Sequence, residues 1–310
     1  MEYIKHGTPF TSYSKRGKLN QCFLHNPKQV INVNNITALY LDHKIDDNDL
    51  ELLRFIWQAQ FSVQEQINRY ALAHNIGYVQ ERLENLFKNH IIHKFFLYSS
   101  DSEKGQLPGD AEIYFCLAEG GRHLIASYID EYIVWNLSNI SLSGSMIARS
   151  LIDTELWLDV MFGAENLEVM EYQKAPRFYV NKDDIVLNSN YLFKVEGRNY
   201  YMVTDVIGST NEMLRLRPRI RLIGQIFESK IWRKYYPDTS MVPMLLFIVD
   251  TDEDATALAK EVATTTRIKP ENFRLTTWDR MKEGIGTDKS FIYYDNESKE
   301  IYETGIDIFK

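Results

Sequence analysis

Between Asp46 and Leu117 the spacing of apolar residues switches from a helical to a strand-like period, and that switch limits the possible folds more than any other feature. The stretch Asp46–Ala59 (DDNDLELLRFIWQA) sets Leu50, Leu53, Ile56 and Trp57 on one helical face. Asp46 or Asp47 can cap it, and the acidic first turn complements the helix dipole. Ser62 followed by Glu65 reads as a capping box for a second helix, with Ile67, Tyr70 and Ala71 on its apolar side. Asn75-Ile76-Gly77 breaks the chain. A third helix, Tyr78 to Asn89, turns Val79, Leu83, Leu86 and Phe87 inward and leaves Gln80, Glu81, Arg82, Asn85 and Lys88 outward. Ile91–Tyr98 then reads as a strand, Ser99–Asp110 as a polar loop and Ala111–Leu117 as the returning strand.

Three short helices followed by a hairpin is the order of a winged helix-turn-helix, in which the third helix enters the major groove and the hairpin loop can touch the DNA backbone. Gln80, Arg82, Asn85 and Lys88 are therefore candidate DNA contacts. Gln and Asn can pair bidentately with adenine, and Arg with guanine. Lys94 and Lys104 on the hairpin are candidate phosphate contacts, with His93 beside them. One such module reads few base pairs, so the expected partners are double-stranded DNA and a second copy of the chain.

The bulk composition narrows the class. With 45% hydrophobic and 25% charged residues, the chain has the make-up of a soluble globular protein. No apolar run approaches the ~20 residues of a membrane span, and the first residues lack the apolar centre of a signal peptide. A cytoplasmic location without membrane contact is expected, with Cys22 and Cys116 as reduced thiols. The net charge of −8 argues against indiscriminate nucleic-acid binding, but the cations are clustered. One cluster, Lys5, Lys15, Arg16, Lys18 and Lys28, marks an N-terminal arm (residues 1–45) with a short strand at Gln29–Val33. His90, His93 and Cys116 lack a fourth ligand, so no metal is expected. No GxxxxGK[ST] or GxSxG pattern occurs, and no cofactor is expected.

Residues 46–135 thus form the helix-turn-helix module, and residues 136–310 read as a separate α/β domain after a junction near 130–145. A helix spans Ser141–Phe162. Strands follow around Tyr172, at Arg177–Val180, at Lys194–Val195 and at Arg198–Val206, with a tight turn at Gly197-Arg198-Asn199. Met213–Tyr236 reads as a long amphipathic helix with Pro218 in its first turn. Met244–Val249 lacks alternation, as in a sheet covered on both faces. A helix at Ala255–Ala263, a strand at Phe273–Trp278 and a closing hairpin at Phe291–Tyr294 and Ile301–Tyr302 complete an α+β chain with a central mixed sheet. Arg215, Arg217, Arg219 and Arg221 form two i,i+4 pairs on different helix faces. Arg215 and Arg219 are candidate phosphate contacts; the competing reading is salt bridges to Glu212, Glu228 and Asp250–Asp254.

Phe61-Ser-Val-Gln-Glu-Gln, Gly120-Gly121-Arg122-His123-Leu124 and Val195–Asp205 (VEGRNYYMVTD) carry a resemblance to the replication-relaxation family, over roughly residues 46 to 280. These are proteins of plasmids and integrative elements, mostly in Gram-positive bacteria. The resemblance implies a DNA-binding protein of a mobile element (plasmid, phage or integrative element), acting in transcriptional control, replication or conjugative transfer. It also implies a second domain like the PD-(D/E)xK nuclease fold, where an acid on one strand and an acidic pair on the next gather a divalent metal. Here those positions are Asn190, Val203 and Asp205, so a single carboxylate remains and catalysis is expected to be lost. The domain would then serve dimerisation, extra DNA contact or docking of a protein partner. Two other readings stand beside this one. A metal-dependent endonuclease would use Asp205 with Asp184 or Glu196, and a protein–protein interaction module would suit the acidic net charge.

Overall fold

The computed structural model describes residues 19–28, 31–99, 111–129, 135–163, 167–180, 182–208, 213–239 and 241–309. They form an α+β protein of two compact units, one ending at Thr154 and the other beginning at Glu155. No helix among the described residues is long and apolar enough to cross a membrane.

The first unit holds β1 (Leu19–Phe23), α1 (Val33–Leu41), α2 (Asp47–Ala59), β2 (Ser62–Val63), α3 (Gln64–Ala73), α4 (Val79–Lys88), β3 (Ile92–Ser99), β4 (Tyr114–Leu117), α5 (Glu119–Tyr128) and α6 (Leu137–Ile140). It also takes in the first part of α7 (Gly144–Gly163). Asp46 caps α2 by accepting the Asp49 amide at 3.0 Å, and Asp49 returns the bond to the Asp46 amide at 3.0 Å. The buried side of α2 is wider than the periodicity suggests: Leu52, Phe55 and Ala59 are as enclosed as Leu53 and Ile56. Ser62 does not cap α3. It lies in β2, paired with Phe115 of β4, and the cap moves on one residue to the Val63 amide, which donates to Gln66 Oε1 at 3.2 Å.

The strands of this unit lie in the order β1–β3–β4–β2, all antiparallel. β3 and β4 form the expected hairpin from Ile92↔Leu117 to Phe95↔Tyr114, while the polar loop with Lys104 lies outside the described residues. Of the strand expected at Gln29–Val33, residues 29 and 30 lie outside the described ones, and residues 31–33 are not in a strand. The pairing strand is β1, and Val33 instead opens α1, capped by the Asn32 side chain. Gly120 and Gly121 explain why α5 escapes periodicity, since two glycines in succession disfavour a helix. Contact requires them here: a Cβ at Gly121 would lie 2.5 Å from the Ile91 carbonyl oxygen and 2.4 Å from Leu117 Cδ1.

The second unit is built on a seven-stranded mixed sheet in the order β13–β12–β11–β10–β9–β8–β5. Its strands are β5 (Glu168–Lys174), β8 (Ser189–Val195), β9 (Arg198–Gly208), β10 (Met244–Val249), β11 (Phe273–Thr277), β12 (Phe291–Tyr294) and β13 (Ile301–Thr304). β6 (Arg177–Val180) and β7 (Asp183–Val186) form a separate two-stranded hairpin. β9, β10 and β11 run parallel, joined through α8 (Met213–Glu228) and α9 (Asp252–Thr265); α10 (Trp278–Lys282) follows β11. The unalternating apolar run of β10 is explained by this central position, with Leu245 to Val249 buried. Val203, Ile207, Leu245, Phe247 and Leu275 pack with Ile220 and Ile223 of α8 and Leu258 and Val262 of α9 in one core.

Two expected features shift. The β8–β9 turn is Glu196-Gly197, with φ of 50° and 76°, the pair of left-handed residues that a two-residue hairpin prefers; Arg198 and Asn199 already belong to β9. The long helix ends at Glu228 and gives way to a 3₁₀ turn at Ile231–Lys234. Pro218 lies inside that helix rather than in its first turn. Leu214, whose carbonyl the missing amide would have met, is 75% exposed.

The enclosure of Gly121 gives a direct test. Gly121→Ala is expected to destabilise the first unit by about 1–3 kcal/mol in urea unfolding, because the Ile91 carbonyl is backbone and cannot step aside. A variant as stable as the parent would show that α5 is free to shift.

Candidate nucleic-acid interface

Helix α4 carries four of the residues singled out by sequence, and the structure divides them. Gln80 and Lys88 are exposed, as is Glu81 between them. Arg82 is turned back onto the start of α2. Its Nη1 donates to Asp46 Oδ1 at 2.7 Å and its Nη2 to Asp46 Oδ2 at 3.0 Å, while Asp49 Oδ1 lies 2.9 Å from Nη1. Its Nε donates to the Gly77 carbonyl at 3.0 Å. One guanidinium therefore joins the α2 cap, the connection from α3 and α4 itself. Burial alone would raise the Asp46 pKa, but Arg82 and the backbone amides of Asp49 and Asn48 hold it below its ordinary value. Asp49 is buried and shifts the other way, desolvation outweighing Arg82. Asn85 is also turned inward, donating from Nδ2 to the Lys44 carbonyl at 2.9 Å.

The connection from α3 to α4 contains two left-handed residues, Asn75 and Tyr78, both with φ of 57°. Leu72 before it and Tyr78 at its end are each 81% exposed. Neither stood out in the sequence, since one exposed apolar residue in an amphipathic segment carries no signal of its own. On the hairpin, Lys94 is 8% exposed and pairs with Glu84 of α4. Its ammonium lies 4.9 Å from the Phe87 ring centre and 5.7 Å from that of Phe115. His93 is also buried. Lys104 and the arm cations Lys5, Lys15, Arg16 and Lys18 lie outside the described residues.

In the second unit the arginines of α8 separate as their spacing requires. Arg215 is exposed, and Arg217 forks onto Glu261 at 2.8 and 3.2 Å. Glu228, a proposed partner, instead accepts the Arg267 amide at 2.7 Å. Arg219 turns inward. Its Nε donates to Asp205 Oδ2 at 2.8 Å, and its Nη2 to Asp205 Oδ1 at 2.6 Å and to the Val186 carbonyl at 2.8 Å. Burial would lower the Arg219 pKa, but the Asp205 carboxylate outweighs it and the net shift is upward.

The three acids of the nuclease reading are not brought together. Asp205 is fully enclosed on β9, where Arg219 takes both its oxygens. Asp184 lies on the separate β6–β7 hairpin, 2.6 Å from Arg177. Glu196 is exposed at the β8–β9 turn, roughly 25 Å along the strand from Asp205 at the usual rise per residue. Asn190 faces Val203 in the register, and its Oδ1 is buried without a partner. Among the described residues, no group of three or more His, Cys, Asp or Glu is placed to hold a metal ion. Compared with family models, curated proteins and solved structures, the chain has no match in any of the three.

The Arg219–Asp205 pair predicts a marked asymmetry between single and double substitutions. Arg219→Met strands a buried carboxylate and is expected to destabilise the second unit by about 3–5 kcal/mol in chemical denaturation. Combining it with Asp205→Leu should recover most of that loss, because no charge then remains to be solvated. Additive losses in the double variant would rule out this account.

Proposed function

We propose that the first unit is a winged helix-turn-helix that binds double-stranded DNA, with α4 presented to the major groove. The observation that carries this reading is the succession α2, β2, α3, α4, β3, β4, with β4 lying between β3 and β2 in the sheet. Such a succession leaves the outer face of the third helix uncovered, and here that face offers Gln80 and Lys88. Arg82 and Asn85 act in this reading as supports that set the angle of α4, not as base readers. Phosphate contact falls to Lys88, to the hairpin loop with Lys104 and to the basic arm.

The second unit is then a nuclease-like domain of the PD-(D/E)xK kind without catalysis, used for dimerisation or additional DNA contact. The support for silence is positive: an arginine occupies both oxygens of Asp205, and Asn190 and Val203 stand at the other metal-gathering positions. The resemblance to the replication-relaxation family sets this activity in a mobile genetic element, in transcription, replication or transfer. A protein partner is the second reading, favoured by the exposure of Leu72 and Tyr78 on either side of the α3–α4 connection.

A titration of the whole protein against DNA fragments from its own gene neighbourhood, at several salt concentrations with and without Mg²⁺, separates these readings. Binding to one fragment that weakens linearly in log–log salt, with the DNA left intact, is the expected result. Lys88→Ala should lower the salt slope by about one, and Gln80→Ala should reduce preference for the chosen fragment more than binding overall. No binding at low salt would overturn the DNA reading and favour the protein partner. Mg²⁺-dependent cleavage would overturn the silent domain.

A further inference from the structure

Residues 19–25 are held against the sheet of the first unit by strand pairing and by aromatic and imidazole rings. β1 runs along the edge of β3 from Leu19↔Ser99 to Phe23↔Phe95, and the Leu24 amide donates to the Lys94 carbonyl at 2.9 Å. His25 follows at once. Its ring stacks on Phe87 of α4 with centres 4.0 Å apart and planes 14° from parallel, and it lies 4.7 Å from the His90 ring. Phe23 closes over His93 edge-on at 5.5 Å. A small pocket opens beside two of these rings, His90 and His93, and is lined also by Asn26, Pro27, Ile31, Ala118 and Glu119. His93 is 6% exposed, and its Nε2 is buried without a hydrogen-bond partner, as is Nδ1 of His25.

We propose that His25 and His93, packed with the His90 ring, form a proton-operated clasp that keeps β1 on β3 while these two imidazoles are neutral and releases it when they take up protons. Charging His25 or His93 places a cation against neighbouring rings, with Nδ1 of His25 or Nε2 of His93 buried and unsolvated. The remaining ionisable groups around the rings offer little compensation. Lys94, on β3 next to His93, is a further cation whose ammonium already meets Glu84 of α4. Cys116 of β4 faces His93 in the register, and burial pushes its thiol far above the ordinary range, so it stays neutral. Glu119, at the start of α5, is the carboxylate that lines the pocket with His90 and His93. Phe23 and Phe87 supply no charge.

The direction of the pH dependence follows. Burial first, and then the neighbouring imidazoles, hold His93 down at about 4; burial, His90 and Lys94 hold His25 below its ordinary value. A released histidine titrates near 6.5, so the clasp has full strength above that pH and weakens as pH falls toward about 4. From His93 alone, the opening equilibrium shifts by at most roughly 300-fold across that window, since each pKa unit is tenfold.

Hydrogen exchange on the whole protein between pH 7.5 and 4.5, corrected for the intrinsic pH dependence of exchange, tests this. Amides of residues 20–24 are expected to lose protection by tens- to hundreds-fold below pH 6.5, while those of α2 and β4 keep theirs. His25→Phe preserves the stack on Phe87 without a titrating nitrogen, and should flatten the profile, more so with His93→Phe. Protection of β1 that is independent of pH, or that falls in step with α2 and β4, would overturn the clasp. The wild-type profile decides this by itself if a variant does not fold.

Discussion

A buried charge must be paired, and in each unit that demand is met by an arginine reaching from a helix to an aspartate on a different element. Arg82 does so for Asp46 and Asp49, and Arg219 for Asp205. The two pairs differ in what they organise. Arg82 is half-buried and spends its third donor on the Gly77 carbonyl, so it fixes the left-handed connection that precedes α4. Arg219 lies over the middle of a sheet strand and spends its spare donor on the Val186 carbonyl, so it ties the β6–β7 hairpin to α8 and β9. In both, the bidentate fork matters as much as the charge, because a lysine could not reach two carboxylate oxygens and a carbonyl at once.

These pairs also mark where sequence reasoning stops. Helical and strand periods located α2, α3, α4, β3, β10 and the β12–β13 hairpin to within a few residues, since each has one apolar face or an apolar run against a core. The misplaced elements had weaker local signals. β1 is short and joins the sheet through five pairings with β3, residues 19–23 against 95–99, a separation that no window of sequence contains. α5 begins with two glycines whose purpose, close approach to Ile91, is visible only in three dimensions. The N-cap position moved from Ser62 to Val63 because pairing with β4 extends Ser62, a tertiary preference that overrides a local one.

The candidate site was partly legible for the same reason. A helical wheel places Gln80, Arg82, Asn85 and Lys88 outside the apolar face of α4 without saying what lies beyond it. Arg82 and Asn85 flank the apolar stripe, near enough to reach the start of α2 and the Lys44 carbonyl, and both turn inward. Lys94 was assigned outward on a hairpin, but β1 covers the edge of β3 and its stem is drawn under Phe87 and Phe115. Arg82 and Lys94 are long enough to snorkel either to solvent or to a partner, and the nearest acceptor decides.

His93 extends this logic to a group with a buried nitrogen, Nε2, that has no hydrogen-bond partner. Arg82 and Arg219 keep their charge at any accessible pH, so the elements they hold remain fastened. An imidazole in an equivalent buried position survives by staying neutral, which makes its contact conditional on the proton concentration. The condition falls on β1 because that strand lies at the edge of the sheet, and among the described residues β3 is the one strand it pairs with. A contact at the centre of the sheet would have enough neighbouring packing to absorb one charged ring, whereas an edge strand of five residues does not.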